Sequence, residues 1–388
     1  MRIGIEAQRI FRKKKHGMDM VALQLIRHLQ ELDTVNEYFI FTAPGDDTSV
    51  LQETPNFHII TAGPSFYPLW ENRTLPQLCK TYQIDLLHCT SNTAPVFCNV
   101  PMVVTLHDVI FMESNMLFKK GFALHQRFGN IYRKWNLKLI AKKVQRWITV
   151  SEFERKNILN RMQFSSDKVY TVYNAMAGHF NSEVNEAQKQ AIREKYQLPE
   201  KFLFFFGNTD PKKNTANVLK AYQMYSREVS QPLPLVIADL DETTVKALSG
   251  SLPLPGTLHL PGYIANQDLP AFYAMAEVFL YPSKRESFGI PLLEAMACGT
   301  PVITSNTSAL PEVAGNAALL CDPNDAESIA NHILEVLDNN MLRQALIYRG
   351  KQRAEEFNWK NSARKMLIHY HQVLNQPITN PHIRFQYV

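Results

Sequence analysis

Short runs of strongly β-forming residues recur along the chain, each followed by a stretch of helical periodicity, and this alternation constrains the fold more than any single residue does. "RIGIEA" at 2–7 leads into "MDMVALQLIRHLQEL" at 18–32, where Val21, Leu25 and Leu29 return every fourth residue. "YFIFTA", "FHIITA", "DLLHCT", "PMVVTL" and "RWITV" follow. A second series comprises "FLFFFG", "LPLVIA", "TLHLPG", "EVFLYPS", "PVITS" and "AALLC". Strands alternating with helices give parallel sheets covered on both faces. The polar, helix-prone stretch "NSEVNEAQKQAIREKYQLPEK" between the series is suited to an interdomain connection, and 388 residues exceed one ordinary core. The expected architecture is α/β, with two Rossmann-like, doubly wound parallel-sheet domains at 1–180 and 181–357 facing a central cleft, into which strand carboxyl ends from both would point.

Composition narrows the classes. With 45% hydrophobic and 20% charged residues the chain is globular rather than disordered. No run reaches the ~18 apolar residues of a membrane span. "MRIGIEAQRIF" lacks a signal peptide's apolar core, so the expected location is cytoplasmic. Five cysteines without close pairing argue against a disulfide framework or a zinc site. Residues 1–180 carry 22 Lys+Arg against 15 Asp+Glu, while the remainder carries 19 against 21. The basic half holds "FRKKKHG" at 11–17 and a segment from Lys119 to Lys143 that interleaves Lys119, Lys120, Arg127, Arg133, Lys134, Lys138, Lys142 and Lys143 with Phe122, Leu124, Phe128, Tyr132, Trp135, Leu137, Leu139 and Ile140. Such a segment is either a solvated helix face or a basic amphipathic surface for anionic lipid on the inner face of a membrane. No nucleic-acid motif accompanies the charge, so no nucleic-acid partner is expected.

"ESFGIPLLEAMACGTPV" at 286–302 is the most informative stretch. It leaves the carboxyl end of the strand "EVFLYPS", and Pro291 suits the start of a helix that Gly299 and Pro301 stop. A helix N-terminus aimed at a crevice favours phosphate, and Gly289 allows close approach of an anion. Glu294 can accept two hydrogen bonds from a vicinal diol such as ribose. Glu286 can hold sugar hydroxyls or balance charge at an anomeric carbon. The plainer alternatives are a helix-favouring Glu294 and a solvent-facing Glu286.

The segment resembles the signature of the retaining glycosyltransferases of family 4, in which two glutamates separated by seven residues precede "AMACGTPVI" and "LPEVAG". Looser similarity extends over most of the chain. The resemblance implies a GT-B fold, a nucleotide-diphosphate sugar donor on the C-terminal domain as co-substrate, transfer with retention, and neither cofactor nor metal. It also implies that "NWKNSARKMLIHYHQVL", within a third segment 358–388, crosses back to the first domain.

Without a metal, the departing diphosphate needs protein cations and oriented amides. Within "FFFGNTDPKKN" a strand ends at Gly207, and Lys212 and Lys213 stand just ahead of a helix. Lys213 matches the family's phosphate-binding lysine; Asn208 stands where the family has arginine. His107, ending "PMVVTLH", matches a histidine that family members carry near the reacting centre, and with Glu286 it forms the expected catalytic pair. Its neighbour Asp108 is equally suited to capping a turn or touching substrate. Tyr263, Ile264, Phe288, Gly289 and Ile290 match donor-binding positions, and Asn174 a contact near the domain crossing. Gly17 is a further candidate contact, weakened by Asp19, an acid standing where the family has a second glycine. Ser151 and Glu154 show capping-box spacing and are expected to be structural.

The expected activity is transfer of a hexose, with a lean to mannose, to a glycan or lipid-linked glycan in surface polysaccharide synthesis. The alternatives are a nucleotide-sugar epimerase on the same frame and a sugar-nucleotide-binding protein without turnover; a phosphorylase lacks its cofactor-lysine context here.

Overall fold

The computed structural model describes residues 1–13, 15, 17–112, 124–181, 183–250 and 256–378, the side chains of 124–127 excepted. Of the basic segments read above, Lys14, His16, Lys119, Lys120 and Phe122, and the Leu124 and Arg127 side chains, lie outside the described residues. The chain forms two compact units. One comprises Met1–Asn174 and the chain from Trp359, and the other Ala175–Asn358.

The first unit is built on seven parallel strands: β1 (Arg2–Glu6), β2 (Glu37–Thr42), β3 (Phe57–Thr61), β4 (Leu86–Cys89), β5 (Met102–Thr105), β6 (Val144–Thr149) and β7 (Val169–Thr171). Their spatial order is β3-β2-β1-β4-β5-β6-β7. Central strands covered on both faces have no polar alternation, and β4 and β5 are accordingly buried at every position. Phe41, Leu87, Val104 and Trp147 form the centre of one core cluster. β7 has no counterpart in the sequence reading, because a three-residue edge strand carries too little pattern to register.

The helix Gly17–Leu32 buries Val21, Leu25 and Leu29, as its periodicity predicts. It packs on the helix Trp359–Val373, with which the chain returns to this unit. Tyr370 Oη lies 2.6 Å from His88 Nδ1 in β4, while His88 Nε2 meets Thr105 Oγ1 at 2.8 Å. Ser151 caps the helix Glu152–Met162 by accepting from the Glu154 amide at 3.1 Å, the structural role expected of it.

The second unit has six parallel strands: β8 (Leu203–Phe206), β9 (Leu235–Ala238), β10 (Leu258–Gly262), β11 (Val278–Tyr281), β12 (Val302–Ser305) and β13 (Leu319–Cys321), in the order β10-β9-β8-β11-β12-β13. Each was legible as an apolar run. The stretch read as an interdomain connection is instead a helix of this unit, Glu186–Tyr196, with a complete capping box between Asn185 and Gln188. Asp268 holds its last turn through Lys195 at 2.7 Å and Tyr196 at 2.8 Å.

All five cysteines are free thiols. Among the described residues no helix is long and apolar enough to cross a membrane.

Candidate functional site

In the second sheet β8 and β11 are neighbours, with β9 lying on one side and β12 on the other. Connections leave such a pair in opposite directions, so their carboxyl ends part and form a crevice, the usual ligand position in a doubly wound sheet. Gly207 ends β8. Its amide donates to Ala238 O at 3.0 Å, and a Cβ there would come within 2.4 Å of Leu240 Cδ1. The following turn is tied down by Asp210, which accepts from the Lys212 amide at 3.1 Å. Asn214 then adopts φ 67°, a left-handed conformation Asn tolerates, and its side chain donates to Pro282 O at 2.9 Å and Pro323 O at 2.6 Å. Those bonds fix the Lys212 and Lys213 turn against the loop leaving β11.

The structure brings Lys213 and Glu286 together. Lys213 Nζ lies 2.6 Å from Glu286 Oε1 and 3.4 Å from Tyr281 Oη, and sits 5.5 Å over the Tyr281 ring. The side chains are 26% and 13% exposed, so the pair is shielded yet reachable. Glu286 is held from behind, its amide donating to Ser308 Oγ at 3.1 Å. Lys212 is more exposed, 3.5 Å from Asp210.

Three residues further on, Gly289 has φ 109° and caps the helix Ile290–Ala297. A side chain there would be strained in backbone and would also place Cβ 2.7 Å from Leu310 Cδ2. Ile290 opens the helix and Pro291 follows. Glu294 lies one turn inside and accepts from Tyr273 Oη at 3.1 Å. Burial raises the Glu294 carboxyl to about 7, with the Tyr273 bond acting in the opposite direction. Phe288 is buried edge-on to Phe357 at 5.6 Å, so its side chain is a packing element and only its backbone is available to a ligand. After β10, Tyr263 is 78% exposed while Ile264 is buried; they stand at the sheet edge, two strands from β8.

The remaining candidates belong to the first unit. His107 follows β5 and is buried. Its amide donates to Asn92 Oδ1 at 2.7 Å, and Nε2 lies 2.9 Å from Thr90 O. A carbonyl only accepts, so Nε2 carries the proton and Nδ1 is the acceptor. Burial lowers this imidazole's basicity and keeps it neutral at physiological pH. Asp108 accepts from the Ile110 amide at 3.0 Å, a turn cap. Asn174 is buried at the end of the unit's first segment. Gly17 is exposed at the start of its helix with open space around its Cβ position, so neither packing nor backbone strain requires glycine there. Asp19 accepts from Arg9 Nε at 2.8 Å as the buried half of an ion pair.

Two family models match the chain. "Glycosyl transferases group 1" covers residues 188–353 and "Glycosyltransferase Family 4" covers 16–176. This chain belongs to glycosyltransferase family 4. Among its relatives, O-antigen chain mannosyltransferase B of Escherichia coli is 34% identical over 58% of this chain and 59% of its own length. The serotype-specific mannosyltransferase WbdA of E. coli is 27% identical over 68% of this chain and 33% of its own. The matched region thus spans from about a third to three fifths of these relatives' lengths. A glycosyltransferase from Rickettsia africae superposes with a TM-score of 0.73 at 17% identity, covering 97% of this chain and 99% of that one, which places both in the GT-B fold.

Sequence reasoning on this family member missed Tyr281, Tyr273, Ser308 and Asn214, which hold or flank its two acidic side chains and its lysine. Tyr281 ends an apolar strand and nothing in "VFLY" marks it as different from a core residue. Asn214 had a signal, because Asn directly before a helix is a frequent left-handed residue.

Proposed function

We propose that the chain is a retaining, metal-independent hexosyltransferase, with a lean to mannose, that moves a sugar from a nucleotide diphosphate to a glycan or lipid-linked glycan in surface polysaccharide synthesis. The observation that carries this is the Lys213–Glu286 pair beside the Gly289-capped helix, all at the β8/β11 switch point. One short crevice then offers a cation and helix amides to a diphosphate, and carboxylates to hydroxyls. The E. coli relatives' names favour mannose and an O-antigen-type product.

In this reading Lys213 and Lys212 hold the phosphates, Glu294 the ribose diol and Glu286 the sugar hydroxyls. The acceptor hydroxyl attacks C1 from the face that the diphosphate leaves. The C1–O bond to phosphate breaks, the new C1–O bond forms, and the acceptor proton passes to the departing phosphate oxygen. His107, neutral and with Nε2–H committed to Thr90, positions groups through Nδ1 rather than supplying a proton.

On the helix Leu124–Ile140 the apolar residues divide. Leu137 and Ile140 are core, while Phe128, Ile131, Trp135 and Leu139 form an exposed stripe. Lys138, Lys142 and Lys143 are exposed beside it, which supports peripheral contact with anionic lipid.

Calorimetric titration with UDP-, GDP-, ADP- and dTDP-sugars, followed by turnover on an acceptor panel with and without a chelator, tests the assignment. Saturable binding and chelator-insensitive transfer with retained anomeric configuration are expected; absence of nucleotide-sugar binding refutes it. Donor binding without turnover would favour the non-catalytic reading. One observation supports that reading: Asn208, standing where the family has arginine, spends Oδ1 on the Asp210 amide at 2.8 Å.

A further inference from the structure

The first sheet has a switch point of its own, between β1 and β4. A cavity of about 360 Å³ opens there, walled by Arg9 and Arg12 after β1, Thr93 after β4, and Arg133 on the helix Leu124–Ile140. Three arginines therefore line one hollow. Arg9 has a carboxylate partner in Asp19 at 2.8 Å. Arg133 donates to the neutral Asn130 Oδ1 at 2.9 Å and lies 5.9 Å over the Phe111 ring. Among the described residues, neither Arg12 nor Arg133 is paired with a carboxylate. Burial, and to a lesser extent the positive charge of Arg9, make the Arg133 guanidinium less basic, while Asp108 acts in the opposite direction.

Three acids bear on this balance: Asp19 pairs with Arg9, Glu6 acts on Arg9 through space and Asp108 acts likewise on Arg133; Glu71 is held by neutral hydroxyls instead. It is fully buried, and one oxygen accepts from Thr93 Oγ1 at 2.5 Å while the other accepts from Tyr132. Burial raises its carboxyl to about 7, so near neutral pH it is protonated about half the time. The same cavity is lined by Phe66 and Phe128, both more than half exposed. Planar guanidinium forks are matched to phosphate oxygens, and three of them offer more donors than the two oxygens of a carboxylate can use.

The geometry points to a binding site for a phosphate-bearing organic ligand, a monoester or diphosphate, whose anionic oxygens are held by Arg9, Arg12 and Arg133 while its carbon skeleton lies against Phe66 and Phe128. The site goes beyond the transferase reading and does not depend on nucleotide-sugar binding in the second unit. Its source is either a phosphorylated sugar or a phosphorylated lipid, which share this chemistry.

Calorimetric titration of the full chain with glucose 6-phosphate, geranyl diphosphate and unphosphorylated glucose tests it, in the wild type and in the Arg12→Glu, Arg133→Gln and Lys213→Ala variants. At least one phosphorylated probe is expected to bind where glucose does not, to weaken about tenfold or more in Arg12→Glu and Arg133→Gln, and to be unaffected by Lys213→Ala. Preference for glucose 6-phosphate assigns the site to a sugar phosphate, and preference for geranyl diphosphate assigns it to a lipid. Arg12 is exposed, so its variant keeps the test valid should Arg133→Gln unfold. Failure of both probes to bind the wild type, or binding that survives both arginine substitutions, overturns the proposal. Loss of nucleotide-sugar binding alone would count only against the second unit's assignment.

Discussion

Replacing Lys213 with alanine separates a ligand-binding role from a structural one, because the two roles predict different energies. The ammonium lies 2.6 Å from a carboxylate that is 13% exposed, so its removal leaves Glu286 largely desolvated and unpaired. Breaking a fully buried pair costs about 3–5 kcal/mol and an exposed one less than about 1 kcal/mol. A shielded but reachable pair falls between, at about 1–3 kcal/mol. In a unit of this size that lowers the melting temperature by about 2–4 °C for each kcal/mol. The Lys213→Ala, Glu286→Gln double variant carries no stranded charge and should recover most of the loss, giving a coupling energy of about 1–3 kcal/mol in a double-mutant cycle. Nucleotide-diphosphate affinity behaves differently. A lost charge-assisted bond to phosphate weakens binding by about 1.5–3 kcal/mol, about ten- to a hundredfold, and the double variant does not restore it. Denaturation and calorimetry on the same four proteins therefore distinguish the roles. Nucleotide affinity within twofold of wild type in Lys213→Ala would refute the phosphate-binding assignment, whatever the stability shows.

Other substitutions read other parts of the molecule. Gly289→Ala combines a φ of 109° with a 2.7 Å approach to Leu310 Cδ2, and should cost about 1–3 kcal/mol in urea denaturation; made in a Leu310→Ala background, which removes the contact but not the backbone strain, the same substitution should cost less but not nothing. Glu71 keeps its proton in the folded state up to about 7 and releases it nearer 4.5 when unfolded, so its contribution to stability falls as pH rises through that window, by about 3 kcal/mol in all. Glu71→Gln should reduce the fall in stability between pH 5 and 7, with a residual slope from Glu294 and Glu6, whose carboxyls burial also raises; an unchanged profile by chemical denaturation contradicts this. Sedimentation with vesicles should show binding only when anionic lipid is present, reduced more than about tenfold by Lys138→Glu, Lys142→Glu and Lys143→Glu together; negligible binding to both vesicle types would end the membrane proposal.

What the sequence made legible follows from what is local. Runs such as "FLFFFG" and "EVFLYPS" are buried on both faces and announce central parallel strands, and the Gly-Ile-Pro turn announces a helix start. Ser151 and Glu154 could be assigned as a cap because the spacing alone defines the bond. Contacts between loops that lie far apart in sequence could not be read this way. Lys213 and Glu286 were each recognised as candidates, but their bond spans 73 positions and depends on Asn214 adopting a left-handed turn. Asp19 pairs with Arg9 because the short helical turn Gln8–Phe11 follows β1, and that turn has no periodic pattern. The apolar residues of Leu124–Ile140 read as one amphipathic face, whereas Asn136, bound to Ala94 O at 2.8 Å, marks an inner side that periodicity alone did not separate from the outer stripe.

The bond between His88 and Tyr370 joins residues 282 positions apart in the chain. During synthesis the ribosome completes β1 to β7, and then all of the second unit, before it releases the helix that covers His88 and packs on Gly17–Leu32. The earlier-made unit is thus the later one to mature, and until then an apolar helix face and a buried imidazole stand open to water. A nascent chain of this design depends on the helix Trp359–Val373 to seal its first sheet, so damage to that helix is felt in a strand made 282 positions earlier.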